Sequence, residues 1–267
     1  MDFNFTEEQQ LLADTVRRFV REHYPFEARR EILKSKEGWS RDLWQQLAGL
    51  GLTALNVPEE HGGLAAGPVD TMLVMNALGE GLVLEPYLSA SVITPALLAR
   101  IGDEKAAADL LPAVAAGERI VIVAHQEPKT RGELNHVATR AEKSGDSFVL
   151  DGHKSVIMHG GAADEFLVSA RTAGKTGDRD GISLFRVAPG ASGLKMKVYR
   201  TIDEQQAADV ELTKVKVPAT ALVGAEGRAF PALESAHDLG LSAICGEAVG
   251  IMTVSYTHLT LPTILRV

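Results

Sequence analysis

Cysteine is all but missing. Cys245 stands alone among 267 residues, which excludes an internal disulfide and a cysteine-built metal site and points to a reducing compartment. A basic excess is missing too: 27 lysines and arginines against 35 acidic residues leave a net charge of -8, the wrong sign for a nucleic-acid or anionic-membrane surface. The start, Met1-Asp2-Phe3-Asn4-Phe5, lacks the basic residues and long apolar run of a signal peptide. No apolar stretch reads as long enough to cross a bilayer, so the expected setting is cytoplasmic. The eight histidines fall at no metal-ligand spacing, and neither a nucleophile elbow nor a P-loop is found, so no metal is expected.

What is there is ordinary globular material. Hydrophobic residues at 45% and charged residues at 23% allow a substantial core and two or more domains. Thr6-Glu7-Glu8-Gln9 is a capping-box signature, and Leu11, Leu12, Val16, Phe19 and Val20 follow at helical spacing to about Glu22. Ser40 caps a second helix with Leu43, Leu47 and Leu50, stopped by Gly51. Val57-Pro58-Glu59-Glu60-His61-Gly62-Gly63 reads as a loop. Further helices are expected from Pro68 to Leu82, from about Leu88 to Arg100 with a kink at Pro95, and after an Asp103 cap.

The pattern changes near Glu118. Ile120 to Val123 is β-branched and apolar, and strands are expected at 139–142, 147–150, 155–158, 165–170, 181–187, 194–199 and 208–217. Asp180-Gly181 and Pro189-Gly190 punctuate them. Short strands separated by turns argue for an antiparallel barrel or sandwich and against a dinucleotide-binding βαβ fold. Helix returns from Phe230 to Met252, with a stripe of Leu233, His237, Leu241, Ile244, Ala248 and Met252 and another face carrying Gly240, Ala243 and Glu247. The fold class is therefore α+β: an amino-terminal helical domain over 1–117, a middle β-domain over 118–226, and the first helix of a carboxy-terminal helical domain over 227–252. The threonine-rich stretch 253–267, with Pro262, does not continue the stripe and reads as a non-native tail on a truncated frame. Basic residues between Lys129 and Arg200, such as Lys129, Arg131, Lys143, Arg171, Lys175 and Arg179, are either a patch for a polyanionic ligand or solvated loop faces.

The organising stretch runs from Phe148 to Arg171. Phe148-Val149-Leu150, Asp151-Gly152 and Ser155 to Met158 read as a hairpin, followed by His159-Gly160-Gly161-Ala162-Ala163, a small-residue loop where backbone approaches a flat ligand. Gly152, Lys154, Ile157, Gly160 and Gly161 in this order resemble the G-x-K-x-W-I-T-N-G segment of the acyl-CoA dehydrogenase family, with Val156, Met158 and His159 where that pattern has tryptophan, threonine and asparagine. The 57–63 loop resembles the family's V-P-E-E-Y-G-G turn. Glu127-Pro128 matches its T-E-P segment, and the nearest resemblance is to small subunits of pimeloyl-CoA dehydrogenase.

The resemblance implies FAD, an acyl-CoA substrate dehydrogenated between its α and β carbons, and an electron-transfer flavoprotein or similar acceptor. It also implies a homo- or hetero-oligomer with a large subunit. Cofactor candidates are His125, Gln126, Val156, Met158 and His159, and Gly132 is the substrate-binding candidate. Glu247 is the candidate catalytic base, with room for a ligand left by Gly240 and Ala243. Five of these have a plainer reading: Gln126 as a polar loop residue, Val156 and Met158 as core, His159 as a loop histidine satisfied by backbone or water, and Glu247 as a helix-seam glutamate. Loss of the usual ligand residues also fits a non-catalytic structural subunit.

Overall fold

The computed structural model describes residues 4–264, with side chains described to residue 260. Met1 to Phe3 and the last three residues of the 253–267 stretch lie outside the described residues. The helical block holds α1 (Glu7–His23), α2 (Phe26–Lys34), α3 (Arg41–Gly49), α4 (Pro68–Glu80), α5 (Thr94–Arg100) and α6 (Glu104–Ala115). Thr6 and Gln9 form the expected reciprocal cap on α1, each backbone N–H donating to the other's side chain at 3.2 Å. Ser40 caps α3, and Asp103 caps α6 while also accepting from the Gly224 N–H across the domain seam at 2.9 Å. The helix α2 went unread because its segment is mostly charged and buries only Leu33. The single kinked helix expected near Pro95 is a π-helical turn, Tyr87–Ile93, that runs into α5. Pro95 sits in the first turn of α5, where its missing N–H leaves no helical bond unmade.

The middle domain is one eight-stranded sheet of β1 (Val121–Ala124), β2 (Arg140–Ser144), β3 (Ser147–Met158), β4 (Glu165–Arg171), β5 (Ile182–Val187), β6 (Leu194–Arg200), β7 (Gln206–Pro218) and β8 (Leu222–Val223). The strand order is β6-β7-β3-β2-β4-β5-β8. Pairing is mostly antiparallel, with β1 parallel on β4 and a single parallel β2–β4 bridge at Arg140 and Arg171. The Asp151-Gly152 hairpin is not formed. Residues 147–158 make one long strand whose register against β7 shifts between Leu150 and Gly152 and again between Lys154 and Ile157. Gly152 serves close approach, since a Cβ there would come within 2.6 Å of the Thr139 Cα.

Beyond the sheet, α7 (Phe230–Ile264) continues twelve residues past the expected end at Met252. Hydroxyls of Thr253 and Thr257 donate to the Val249 and Thr253 carbonyls one turn back, at 2.9 and 3.0 Å, so the threonines bond within the helix. Part of α7, Phe230–Thr260, is long and apolar enough to cross a membrane, contrary to the reading of the bare sequence. The helix nevertheless packs along α4, α5 and the π turn.

The packed face is not the large apolar stripe. Leu241, Ile244 and Met252 are exposed, whereas Gly240, Ala243, Gly246 and Gly250 are buried. Small residues win that face because the backbones of α4 and α7 nearly touch. A Cβ on Gly246 would lie 2.7 Å from the Met72 carbonyl oxygen, and one on Gly250 would overlap the Asn76 carbonyl. Gly250→Ala is therefore expected to cost about 1–3 kcal/mol in urea unfolding. Gly177→Ala, where a Cβ meets nothing within 4 Å, is expected to change little.

Candidate functional site

Where the sheet, the π turn and the start of α7 converge, a cleft of about 240 Å³ opens. Its back wall is apolar, from Ile122 and Val123 of β1 and Ile157 and Met158 of β3, with Leu97 and Leu233 opposite. Its polar groups are few: Ser89, the 125–134 loop with Gln126, Thr130 and Glu133, and His237 of α7. Five of the residues singled out from the sequence meet here from two segments, His125, Gln126 and Gly132 from the 125–134 loop and Val156 and Met158 from the end of β3. Ser89, Glu133 and His237 were missed, since nothing in their local pattern distinguishes them from ordinary helix and loop residues.

The loop is held by a buried charge pair. Along β3 the period of two puts Phe148, Leu150, Gly152 and Lys154 on one side, so a lysine enters an apolar face and must find a partner. The fully buried Lys154 Nζ donates to Glu127 Oε1 at 2.7 Å, to Ser169 Oγ at 3.0 Å and to the His125 carbonyl at 3.2 Å. Glu127 also accepts from the N–H groups of Ala138 and Thr139 at 2.7 and 3.0 Å. Burial opposes ionisation of both partners: it lowers Lys154 to about 8 despite Glu127. At Glu127, by contrast, the Lys154 charge and the donors outweigh burial and hold the pKa below its usual value.

His125 completes this network. Its Nε2 donates to the Leu134 carbonyl at 2.7 Å, which leaves Nδ1 to accept from Ser169 Oγ at 2.8 Å. Burial and the Lys154 charge lower its pKa to about 4. Both nitrogens are spent, so the residue can offer a ligand its ring but no hydrogen bond. Arg171, counted among possible patch residues, is instead buried, with its guanidinium donating to the carbonyls of Asn135, Val137, Ala173, Thr176, Asp178 and Asp180 at 2.9 to 3.4 Å. It ties down the loops behind the cleft.

At the mouth, Val156 has φ +50, a conformation that a β-branched residue rarely adopts, and its side chain stays 40% exposed beside the cleft. Its N–H donates to Asp209 Oδ1 at 3.0 Å, and the Ser155 N–H donates to the Gln126 carbonyl at 2.9 Å, joining β3 to the loop.

His159 and Glu247 lie elsewhere. They line a second cleft of about 620 Å³ that adjoins the first at Ser89 and Met158. Burial raises the Glu247 pKa and Asp203 adds to the shift. Gly240 and Ala243 do not open room for a ligand: both are packed, and a Cβ on Gly240 would sit 3.2 Å from Ile93. The Gly160-Gly161 pair likewise serves the protein's own packing. A Cβ on Gly160 would come 2.8 Å from the Ala208 Cβ, and one on Gly161 2.7 Å from Gln206 Oε1, so these glycines face β7 rather than a flat ligand.

Comparison with known proteins gives the same outline. The family model described as acyl-CoA dehydrogenase, N-terminal domain, matches residues 6–118, and that for the middle domain matches residues 123–215. The mitochondrial isovaleryl-CoA dehydrogenase of Pongo abelii is 31% identical over 267 residues, covering 96% of this chain and 62% of that protein. Acyl-CoA dehydrogenase FadE27 of Mycobacterium tuberculosis is 31% identical over 224 residues, covering 84% and 57%. Among solved structures, the ChsE4-ChsE5 complex from Mycobacterium tuberculosis superposes with a TM-score of 0.80 at 28% identity, over 95% of this chain and 66% of that one. Butyryl-CoA dehydrogenase from Megasphaera elsdenii superposes with a TM-score of 0.84 at 24% identity, over 95% and 68%, a likeness of fold. The chain spans about three fifths of the length of the first curated relatives.

Proposed function

The chain carries the amino-terminal and middle domains of the acyl-CoA dehydrogenase family, and on that premise we propose that the protein is a flavoprotein oxidoreductase that dehydrogenates an acyl-CoA thioester between its α and β carbons. The observation that carries the reading is the first cleft, where His125, Gln126, Gly132, Val156 and Met158 converge. Its chemistry fits the ring end of FAD. The wall is apolar, the Gln126 amide supplies a donor and an acceptor, and the volume of about 240 Å³ is small beside the ~300–1,000 Å³ of a complete ligand site, so the rest of a dinucleotide lies outside it. Bound there, FAD supplies the hydride acceptor that no side chain can provide.

The chain's own residues then have separate tasks. Val156 and Met158 would wall the cofactor ring and exclude water, the Gln126 amide would hydrogen-bond it, and the 125–134 loop would meet the thioester near Gly132. We assign the α proton to Glu247: it lines the adjoining cleft, so the α carbon must sit at the junction by Ser89 and Met158, where a carboxyl with a raised pKa beside an apolar chain is a competent base. The likeness to the ChsE4-ChsE5 complex supports assembly with a large subunit, and electrons leave to an electron-transfer flavoprotein or similar acceptor. The single cysteine is in keeping with a reducing cytoplasmic setting.

One observation favours a second reading, that of a non-catalytic partner subunit: Glu247 borders the second cleft, and the carboxylate that lines the first is Glu133. Titrating the purified protein with FAD and following the quenching of flavin fluorescence tests the cofactor assignment. Saturable one-to-one quenching is expected, and none at all would leave the structural-subunit reading standing.

A further inference from the structure

The second cleft contains a polar residue that the protein itself does not satisfy. His159 is 5% exposed, and among the described residues neither ring nitrogen has a hydrogen-bond partner. Leaving such a group unpaired forfeits the hydrogen bonds it would make with water, so a native protein that keeps one invites a ligand to complete it. Its placement is built in. The backbone is left-handed at φ +56, its N–H donates to the Gln206 carbonyl at 2.7 Å, and the next two residues are glycines pressed against β7.

Three features define what fits. Burial lowers the His159 pKa to about 4, only partly offset by Asp203 and by the Leu84 backbone, which comes near the ring without meeting hydrogen-bond geometry, so the ring is neutral and offers one donor and one acceptor. A hydroxyl can answer either nitrogen, accepting from the N–H or donating to the bare nitrogen, and a carbonyl can answer the donor. The charged lining is otherwise acidic, with Asp203 and Glu204, and with Glu85 and Glu247 whose pKa values burial raises, against Arg29, whose Nε is engaged by the Leu82 carbonyl. Like charge there opposes a carboxylate. Finally, Leu78, Leu88, Ile244 and Ala248 give the cleft an apolar wall for methylene groups, and its junction with the first cleft at Ser89 and Met158 lets one extended ligand reach both.

We propose that the second cleft receives the distal part of an acyl chain bearing a neutral hydroxyl or carbonyl group, which His159 hydrogen-bonds, and that it disfavours a chain ending in carboxylate. This rests on the acyl-thioester reading of the first cleft, and it departs from the dicarboxylic chain that a pimeloyl-CoA enzyme would take.

The test is calorimetric binding of three CoA thioesters of equal chain length to the FAD-loaded protein: the plain acyl chain, its ω-hydroxy analogue and its ω-carboxy analogue. The ω-hydroxy compound is expected to bind about tenfold more tightly than the plain one, and the ω-carboxy compound most weakly. His159→Phe, which fills the same space without polar atoms, is expected to equalise the hydroxy and plain compounds, while His159→Gln keeps part of the preference. Equal or weaker binding of the hydroxy compound by the unaltered protein overturns the proposal even if the Phe variant fails to fold, as does a preference that survives in that variant. If the plain chain binds and the hydroxy compound gains nothing, the acyl-thioester reading stands and this proposal falls. If none of the three binds, the acyl-thioester reading falls and takes the proposal with it.

Discussion

Lys154→Met is expected to destabilise the protein by about 3–5 kcal/mol, because it strips the charge partner from a carboxylate 4% exposed at the centre of the β-domain. Glu127 would keep its two backbone donors and lose the ammonium that makes its ionisation favourable. The damage should spread to the first cleft, since the same ammonium holds the His125 carbonyl and Ser169. Urea unfolding measures the first effect and FAD affinity the second. The double variant Glu127→Gln with Lys154→Met removes both charges while leaving an amide oxygen for the Ala138 and Thr139 N–H groups, and is expected to recover part of the lost stability. A Lys154→Met variant as stable as the unaltered protein would mean that the pair is not the post on which the loop is hung.

Glu247→Gln is expected to lower the rate of dehydrogenation by about 10²- to 10⁴-fold, the usual range for loss of a positioned base, with FAD content unchanged. Its pH signature follows from the direction of the shift. Burial raises the Glu247 pKa, so the active, ionised form appears only at higher pH than for an ordinary carboxylate, and kcat should rise with pH through that raised value. For stability the sign is opposite. A carboxyl whose folded pKa is raised holds its proton longer in the native state, so its contribution is present below the unfolded value of 4.5 and is lost as pH rises through the folded value. Glu247→Gln should therefore flatten the pH dependence of both kcat and unfolding. An unchanged rate would assign the base to another chain or another residue.

Much of the fold was legible because caps and periodicity are local. The Thr6, Ser40 and Asp103 caps and the alternating β-branched runs each carry their own stop and start signals, and the structure places helices and strands close to those bounds. What misled was glycine. Asp151-Gly152 has the residues of a tight turn, yet the glycine is there because Thr139 leaves no space for a side chain. Gly160 and Gly161 look like a cradle for a ligand and are in fact crowded by β7. On α7 the large apolar stripe drew attention, while the face that packs is the one with Gly246 and Gly250. In each case the deciding contact is with a segment far along the chain, which local pattern does not encode.

The site was legible in part for the same reason. Three candidates lie in the loop after β1 and two at the end of β3, so local order kept each group together, while the Ser155 N–H bond to the Gln126 carbonyl, invisible in the local pattern, joins the groups at one cleft. His159 follows Met158 directly, but its left-handed backbone turns it into the second cleft, a change of direction visible only in three dimensions. The Lys154 and Glu127 pair could have been anticipated from the inward register of β3, because a lysine on an apolar face requires a counter-charge.

The most direct trial of the account is an anaerobic titration of the FAD-loaded protein with a medium-chain acyl-CoA while the visible flavin absorbance is recorded. Stoichiometric loss of the yellow colour is the expected result. A protein that holds FAD yet keeps its full absorbance with every acyl-CoA offered would contradict it.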